Sequence, residues 1–171
     1  AKRLKPKNNI ILVTKQGQSI RFEDEEIRSL GRTARGVIGI RVDESDEVIG
    51  MEIIDPEQKI AQILTVTEFG YGKRTKVEEY RVQGRGGSGV LTMKVTEKNG
   101  PVIAVRQVVD EDDIIIASNQ GKVIRTRVSE ISEVGRVAQG VRLINLGEGE
   151  RVGAVAKIVE KDEIVEKDEV E

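Results

Sequence analysis

The chain has 171 residues, of which 37% are hydrophobic, and its formal net charge at pH 7 is −2. It contains no cysteine and no histidine, which excludes disulfides, thiolate nucleophiles, histidine-based acid–base pairs and the usual zinc ligands. Since no long apolar run is present, the sequence predicts a soluble, cytoplasmic chain without a membrane span or signal peptide.

Short β-branched runs bounded by glycine turns indicate strands along the whole chain. After a basic lead-in at residues 1–9, the first two runs lie at residues 10–13 and 19–22, on either side of a hairpin turn that contains a glycine. Two more strands are predicted near residues 37–42 and 48–54. These four strands form the first predicted unit.

The same order of strands recurs twice more. The corresponding strands are predicted near residues 63–66, 73–76, 90–95, 102–109, 114–117, 123–126, 141–144 and 152–159. A single helical turn is predicted near residues 24–30 and near residues 130–134. Four strands in roughly 50 residues is the strand count of a propeller blade. The predicted fold class is therefore all-β and propeller-like, with about three four-stranded blades at residues 10–58, 62–109 and 113–158.

A glycine-rich phrase marks the repeat at residues 31–36, 84–89 and 135–140, in steps of 53 and 51 residues. In each copy an arginine follows the first glycine of the phrase. Upstream of each phrase lies a leading glycine. An arginine and a glutamate stand at fixed offsets between this glycine and the phrase. Fixed periods near 50 residues are typical of propeller blades and other arrays. The aligned positions are Gly17, Gly70 and Gly121; Arg21, Arg74 and Arg125; Glu26, Glu79 and Glu130; and Arg32, Arg85 and Arg136.

Charge is segregated within the repeat. Residues 15–41 hold six basic residues against four acids, whereas residues 43–57 hold seven acids and no base. If the repeats stack side by side, their basic parts form a positive stripe that can neutralise phosphates without reading bases. A mixed-charge surface of cations paired with nearby glutamates is the alternative for any single cluster. The candidate DNA-binding residues are Arg21, Arg32, Arg35, Lys73, Arg74, Arg85, Lys122, Arg125, Arg127, Arg136 and Arg142.

The middle phrase also fits the dinucleotide-binding pattern G-x-G-x-x-G, but its context argues against that function. A dinucleotide loop opens a helix, whereas residues 90–95 alternate like a strand. No Gly-Lys-Ser/Thr follows, so a P-loop is excluded as well. The glycines around Arg85 instead leave backbone N–H groups that can approach a phosphate closely. Two Tyr and two Phe in the whole chain supply few platforms for stacking single-stranded bases.

The middle phrase and its flanks resemble the C-terminal domain of DNA gyrase A. The family's signature heptapeptide is Gln-(Arg/Lys)-Arg-Gly-Gly-(Arg/Lys)-Gly. The similar run in this chain consists of Gln83, Gly84, Arg85, Gly86, Gly87, Ser88 and Gly89. Gly84 and Ser88 stand where the signature carries basic residues. Because residues 71–75, 77–80, 123–128 and 140–144 also look like this family, the resemblance covers about residues 10–158.

The resemblance implies a β-pinwheel, in which neighbouring blades exchange strands and duplex DNA bends around a basic rim. It implies that this wrap supports ATP-dependent negative supercoiling by the whole enzyme, whose cleavage tyrosine and ATP site lie outside this chain. The implied partners are duplex DNA, the rest of the gyrase A protein, and the gyrase B protein. We expect no catalytic residue, metal site or cofactor in the chain, and no membrane partner. The signature belongs to the first of typically six blades, so the chain is interpreted as the last three.

Two other functions remain open. The C-terminal domain of the corresponding topoisomerase IV protein shares the blades but generally lacks the heptapeptide. A propeller-like protein-interaction scaffold would instead show recurrent exposed hydrophobic residues at the rim. With either function, edge strands at the two ends of three blades would invite self-association of an incomplete ring.

The C-terminal stretch opposes the basic lead-in. An acidic tail is predicted at residues 159–171, and residues 160–171 carry seven acids against two lysines. Such a composition is typical of a solubilising, disordered tail. A sharper hypothesis folds the tail over the basic rim, where it would compete with DNA because an acidic chain mimics phosphate charge.

Overall fold

The computed structural model describes residues 2–57 and 60–158, and the predicted acidic tail at 159–171 lies outside the described residues. The strands, in chain order, are β1 (Asn9–Thr14), β2 (Gln18–Glu23), β3 (Val48–Ile54), β4 (Gln62–Thr67), β5 (Tyr71–Lys76), β6 (Val90–Leu91), β7 (Val102–Val108), β8 (Asp113–Ser118), β9 (Val123–Arg127), β10 (Val141–Arg142) and β11 (Val152–Ile158). The all-β fold class predicted from the sequence is confirmed.

Each repeat has one short 3-10 helix after its second strand, at Asp24–Glu26, Val77–Glu79 and Val128–Glu130. The first lies within the helical turn predicted near residues 24–30. The third ends where the predicted turn at residues 130–134 begins. The backbone N–H of Tyr80 closes the second helix on the carbonyl oxygen of Val77 at 3.1 Å.

The outermost strand of a blade belongs to the following repeat. The first sheet has the strand order β3-β1-β2-β6 and the second the order β10-β5-β4-β7. Ser19 of β2 lies opposite Val90 of β6, and Gly72 of β5 lies opposite Val141 of β10. The strand exchange implied by the resemblance is therefore present. In the third sheet, ordered β11-β8-β9, no strand within residues 2–57 or 60–158 pairs with the outer edge of β9.

The strand predicted near residues 37–42 is absent, and that prediction was wrong. We call residues 31–42 the first arm. The equivalent segments β6 and β10 are strands because a preceding repeat offers them a sheet edge, and no described repeat precedes the first arm. The strands predicted at 90–95 and 141–144 are only two residues long in the structure, and each pairs with two residues at the start of its partner strand. The first arm still packs inward at Ile40, which is buried.

Neighbouring blades share hydrophobic cores. One buried cluster joins Ile11 of β1 to Ile63 of β4 and to the ring of Tyr80. A second cluster joins Leu64 of β4 to Ile116 of β8. All six residues of β4 are buried because the second blade is covered on both sides. Adjacent repeats therefore stabilise each other, as expected for a stacked array in which a repeat cannot bury its hydrophobic surface alone.

The two edges of each sheet face different surroundings. Strands β3, β7 and β11 are edge strands, and β7 contacts both β3 and β11. This side is the inner edge of the array, so β6 and β10 lie at the opposite, outer rim. The glycine-rich phrases directly precede β6 and β10 in the chain and therefore lie at the rim too. Within residues 2–57 and 60–158, no helix is long and apolar enough to cross a membrane.

Candidate nucleic-acid interface

Arg21 connects the first repeat to the second. Its Nε donates a hydrogen bond to Oδ1 of Asn9 in its own sheet at 2.8 Å. Its Nη1 donates to the carbonyl oxygens of Val77 and Tyr80 at 2.9 and 3.1 Å. Val77 is the first residue of the 3-10 helix of the second repeat, and Tyr80 directly follows that helix. Burial lowers the pKa of Arg21 from its usual value. Much of the hydrogen-bonding capacity of this guanidinium thus serves the contact between blades.

Arg74 makes the same connection from the second repeat to the third and is only 7% exposed. Its Nε donates to the carbonyl oxygen of Ile131 at 2.6 Å, and its Nη2 donates to that of Ser129 at 3.2 Å. Its Nη1 donates to Oε1 of Gln62 at 2.8 Å and forms an ion pair with Asp110. Every guanidinium nitrogen is engaged, so this side chain has little surface to offer to a phosphate.

Arg125 occupies the aligned position in the third repeat but stays at the surface. Its Nε donates to Oδ2 of Asp113 at 2.6 Å, within its own sheet, and its side chain is 57% exposed. Nε of Arg127 lies 3.4 Å from the other carboxylate oxygen of Asp113. No described repeat follows β9, which explains why Arg125 lacks the carbonyl partners that Arg21 and Arg74 have.

The arginines of the second and third phrases, Arg85 and Arg136, bond to the preceding repeat. The backbone N–H of Arg85 donates to Oε2 of Glu26 at 2.7 Å, and its Nη1 donates to the carbonyl oxygen of Ile38 at 2.5 Å. The backbone N–H of Arg136 donates to Oε2 of Glu79 at 3.2 Å, and its Nη1 donates to the carbonyl oxygen of Leu91 at 2.8 Å. The aligned glutamates Glu26 and Glu79 therefore accept hydrogen bonds from the next repeat.

Lys73 is fully buried, which the sequence did not predict. Its Nζ donates to the carbonyl oxygen of Gly135 at 2.6 Å and to that of Arg136. Burial lowers its pKa to about 8, and the nearby Glu79 opposes this effect. The aligned positions in the other repeats are apolar, Ile20 and Ile124, and this pattern was the available signal that Lys73 points inward.

The remaining candidates are accessible. Arg32 and Arg35 are exposed and make no hydrogen bond or ion pair within the described residues. Arg142, on the outermost strand β10, is exposed and donates from Nη2 to the hydroxyl oxygen of Tyr71 at 2.9 Å. Lys122 donates to the carbonyl oxygen of Asn145 at 2.6 Å and forms an ion pair with Glu150 at 3.1 Å.

The box-like loop, Gln83 to Gly89, is bonded to the first repeat rather than projecting from the rim. The N–H of Gln83 donates to the carbonyl oxygen of Arg21, and the N–H of Gly86 donates to that of Gly39, both at 2.8 Å. Gly89 has a φ of +78°, and a Cβ there would lie 2.2 Å from the carbonyl oxygen of Ser19. The glycines of the loop thus allow close contact between blades. Gly84 and Ser88 remain exposed.

Except for Arg142, the members of a cluster of cations and aromatic rings at the rim were not predicted from the sequence. The Nζ of Lys98 and the Cζ of Arg142 lie 5.5 and 5.4 Å from the centre of the Tyr71 ring. The Cζ of Arg151 lies 4.8 Å from the centre of the Phe69 ring. These residues do not recur at the aligned positions of other repeats, so the repeat pattern could not reveal them. The available signal was the pair of aromatic residues on either side of Gly70.

Comparisons of the sequence with a family model and with curated proteins point to the same family. The model of the family described as DNA gyrase C-terminal domain, beta-propeller, matches residues 8–55, 61–108 and 112–165. DNA gyrase A of Staphylococcus epidermidis is 46% identical over 155 residues, which cover 91% of this chain and 17% of that protein. The chain therefore spans about a sixth of the length of the curated relatives that it matches.

Two solved structures share the fold. The structure of a DNA gyrase A C-terminal domain matches with a TM-score of 0.82 and 27% identity, over 92% of this chain and 52% of the other. The C-terminal domain of a DNA topoisomerase IV also matches with a TM-score of 0.82, at 25% identity, over 89% of this chain and 47% of the other. Since the family model matches three successive segments that span nearly all described residues, the chain belongs to the DNA gyrase C-terminal domain family.

Proposed function

We propose that this chain is a DNA-binding and wrapping module, which bends duplex DNA along the outer rim of its blades. The observation that carries the proposal is that some of the candidate cations bond one blade to the next, whereas others are exposed. Arg21, Arg74 and Lys73 hold the blades together, whereas Arg32, Arg35 and Arg142 stay exposed without a carboxylate partner in the described chain. Family membership supports the same function.

The physics of wrapping requires both groups of cations. Bending a site of 20–30 bp by 40–90° costs about 1–6 kcal/mol by elastic estimates, and phosphate contacts must offset that cost. Each neutralised phosphate contributes about −0.9 to the slope of log affinity against log salt. The phosphate contacts must also lie on one curved surface, and the bonds from Arg21 and Arg74 to the following repeat hold neighbouring blades together.

In the intact enzyme, we place this chain within the gyrase A protein in the cytoplasm, beside the gyrase B protein. There it would support ATP-dependent negative supercoiling, while the catalytic residues lie elsewhere in the enzyme. Neither tyrosine suits the attack on DNA. Tyr80 is 1% exposed and shares a hydrogen bond with Thr92 at 2.6 Å, and burial raises its pKa to about 12. Tyr71 is mostly buried, and its hydroxyl accepts the hydrogen bond from Arg142.

A role in topoisomerase IV is the nearest alternative, favoured by the TM-score of 0.82 to that enzyme's C-terminal domain. A protein-interaction scaffold is favoured by the exposed apolar side chains of Val123 and Val137, which are 61% and 65% exposed. Both valines belong to the third repeat, whose edge strand β9 is unpaired within the described residues. We therefore attribute the exposure of Val123 to the open edge, whereas Val137 lies in the third phrase at the rim and remains the observation that favours a scaffold. This edge and the first arm would allow two copies to associate, a proposal that analytical ultracentrifugation tests directly.

Binding to duplex DNA over a salt series tests the function. The Arg32→Ala/Arg35→Ala pair should weaken binding and make the salt slope shallower by about 0.9 for each phosphate that these arginines neutralise. A matched pair, Arg3→Ala/Lys5→Ala, removes the same charge from the basic lead-in. Equal effects of the two pairs would contradict a role of the first arm, and no binding of the unmodified chain at low salt would contradict the function itself.

A further inference from the structure

A cavity of about 430 Å³ lies at the outer rim, where the second and third repeats meet. Its walls come from the turn between β4 and β5, from the loop before β7, and from β10 with the segment that follows it. Phe69, Tyr71, Ile144 and Leu146 form the apolar part of the lining. The charged part of the lining consists of the cations Lys98, Arg142 and Arg151 and one carboxylate, Glu150.

The cations in this cavity are held in place by the aromatic rings. Lys98 and Arg142 lie over Tyr71, and Arg151 lies over Phe69. Arg142 is further fixed by its hydrogen bond to the Tyr71 hydroxyl. A cation held against the face of a ring keeps its charge and loses conformational freedom before any ligand arrives. The cavity is therefore preorganised for an anion.

The lining carboxylate Glu150 and the nearby Glu68 are both paired with cations. Glu150 accepts hydrogen bonds from the N–H of Gly147 at 2.7 Å and from Ser118, and it forms an ion pair with Lys122 at 3.1 Å. These contacts, the backbone bond from Gly147 first, lower the pKa of Glu150 to about 2. Glu68 lies 3.6 Å from Arg151. Neither Lys98 nor Arg142 has an ion-pair partner within the described chain.

We propose that this cavity binds the sugar–phosphate backbone of duplex DNA, with Lys98 and Arg142 as the phosphate ligands and the apolar wall against the deoxyribose. The assignment rests on the proposed function and deepens it. Tyr71 is 8% exposed and already lies beneath two cations, so it offers no free face for stacking a base. The cavity therefore fits the backbone of a duplex better than an unstacked base of a single strand.

The position of the cavity supports a contact with the same DNA as the rest of the rim. Arg142 belongs to the outermost strand of the second blade. The Asn99 side chain donates from Nδ2 to the carbonyl oxygen of Gln139, which ties the Lys98 loop to the third phrase at 3.2 Å. A DNA backbone that follows the rim past that phrase would meet Lys98 and Arg142 next.

Two paired variants test the assignment against duplex DNA of about 30 bp in a salt series. The Lys98→Ala/Arg142→Ala pair should make the salt slope shallower by about 0.9 if the two cations neutralise one phosphate, and by about 1.8 if they neutralise two. Arg3→Ala/Lys5→Ala removes two exposed charges outside the cavity and should keep the unmodified slope. Thermal unfolding of each variant checks that the blades remain intact.

The outcomes separate this assignment from the proposed function. If the unmodified chain binds DNA but the two variant pairs have equal slopes, the cavity assignment is overturned and the function stands. If the unmodified chain does not bind DNA, both fail. Tyrosine fluorescence with inorganic phosphate gives a second readout, with Tyr71→Phe identifying the signal of Tyr71. Quenching by phosphate without any effect of the duplex would make the cavity a free-anion site and would also overturn the assignment.

Discussion

The backbone N–H of Arg85 donates to a carboxylate oxygen of Glu26, 59 residues earlier in the chain, at 2.7 Å. The same bond joins Arg136 to Glu79 one blade later. Because a pinwheel passes its outer strand to the neighbouring sheet, each phrase must be anchored on the preceding repeat. The repeated glutamate is that anchor. Much of what repeats in this sequence therefore encodes contacts between blades, as the bonds from Arg85 and Arg136 to the preceding repeat show.

The first prediction concerns Arg74, the buried arginine that bonds the second repeat to the third. Arg74→Ala should lower the free energy of unfolding by about 2–3 kcal/mol, because it removes charge-assisted hydrogen bonds and leaves buried carbonyl groups without a donor. Arg35→Ala, which removes an exposed arginine without a partner in the described chain, should change it by no more than about 0.5 kcal/mol. Urea unfolding followed by circular dichroism measures both. Equal effects would show that Arg74 does not hold the blades together.

Lys73 predicts an unusual dependence of stability on pH. Its pKa is about 8 in the folded chain, against 10.5 as the ordinary value. The unfolded chain therefore binds more protons between these values, so stability from this group rises as pH increases from about 8 to 10.5. The gain is at most about 3 kcal/mol. Lys73→Met removes the titrating group, and the difference in unfolding free energy between the two chains should change over this range. A constant difference would contradict the prediction.

Two glycines with nearly equal backbone angles should respond differently to alanine. Gly70 and Gly121 have φ angles of +80° and +86°. A Cβ at Gly70 would lie 2.7 Å from Cγ2 of Ile144, whereas nothing lies within 4 Å at Gly121. Gly121→Ala should cost about 1 kcal/mol for its backbone conformation alone. Gly70→Ala should cost a further 1–3 kcal/mol or so from overpacking. Thermal unfolding of both variants measures the difference, and Gly70→Ala should lower the melting temperature more than Gly121→Ala. Equal melting temperatures would show that crowding between blades adds nothing to the cost of the backbone conformation.

The two tyrosines should titrate separately. Burial raises the pKa of Tyr80 to about 12, whereas the hydrogen bond from Arg142 lowers the pKa of Tyr71 from its usual value. Because the chain has no tryptophan, absorbance at the tyrosinate wavelength reports these two groups alone. The folded chain should show one transition below the usual tyrosine pKa and a second near pH 12, and Tyr71→Phe should remove only the first. A single transition of two groups would contradict the structure.

The sequence predicts the blades well because their signals are local. Gly17 and Gly70 mark hairpin turns, and the β-branched runs on either side of each turn mark strands. The role of each arginine was harder to predict, since the partners of Arg74 lie 55 and 57 residues away on the next blade. The strand predicted at residues 37–42 failed for the same reason. A strand at the rim exists only where a neighbouring sheet pairs with it.

In the candidate site too, exposed charges could be predicted from the sequence, whereas contacts between blades could not. Exposed arginines such as Arg32 could be named from charge alone, and their role as DNA contacts stays a prediction. Lys73 looked equivalent to them until the structure placed it inside the core. Lys98 and Arg151 were not predicted as site residues, because they do not recur at the aligned positions of the other repeats. In the structure they lie over the rings of the two aromatic residues beside Gly70.

The central claim is that this chain bends duplex DNA around its rim. The most direct test is to close nicked circular DNA with ligase in the presence of the chain and to measure the change in linking number, at low and at high salt. Wrapping predicts a positive shift that grows with protein concentration and disappears as salt displaces the phosphate contacts. Binding at low salt without any shift in linking number would contradict the claim.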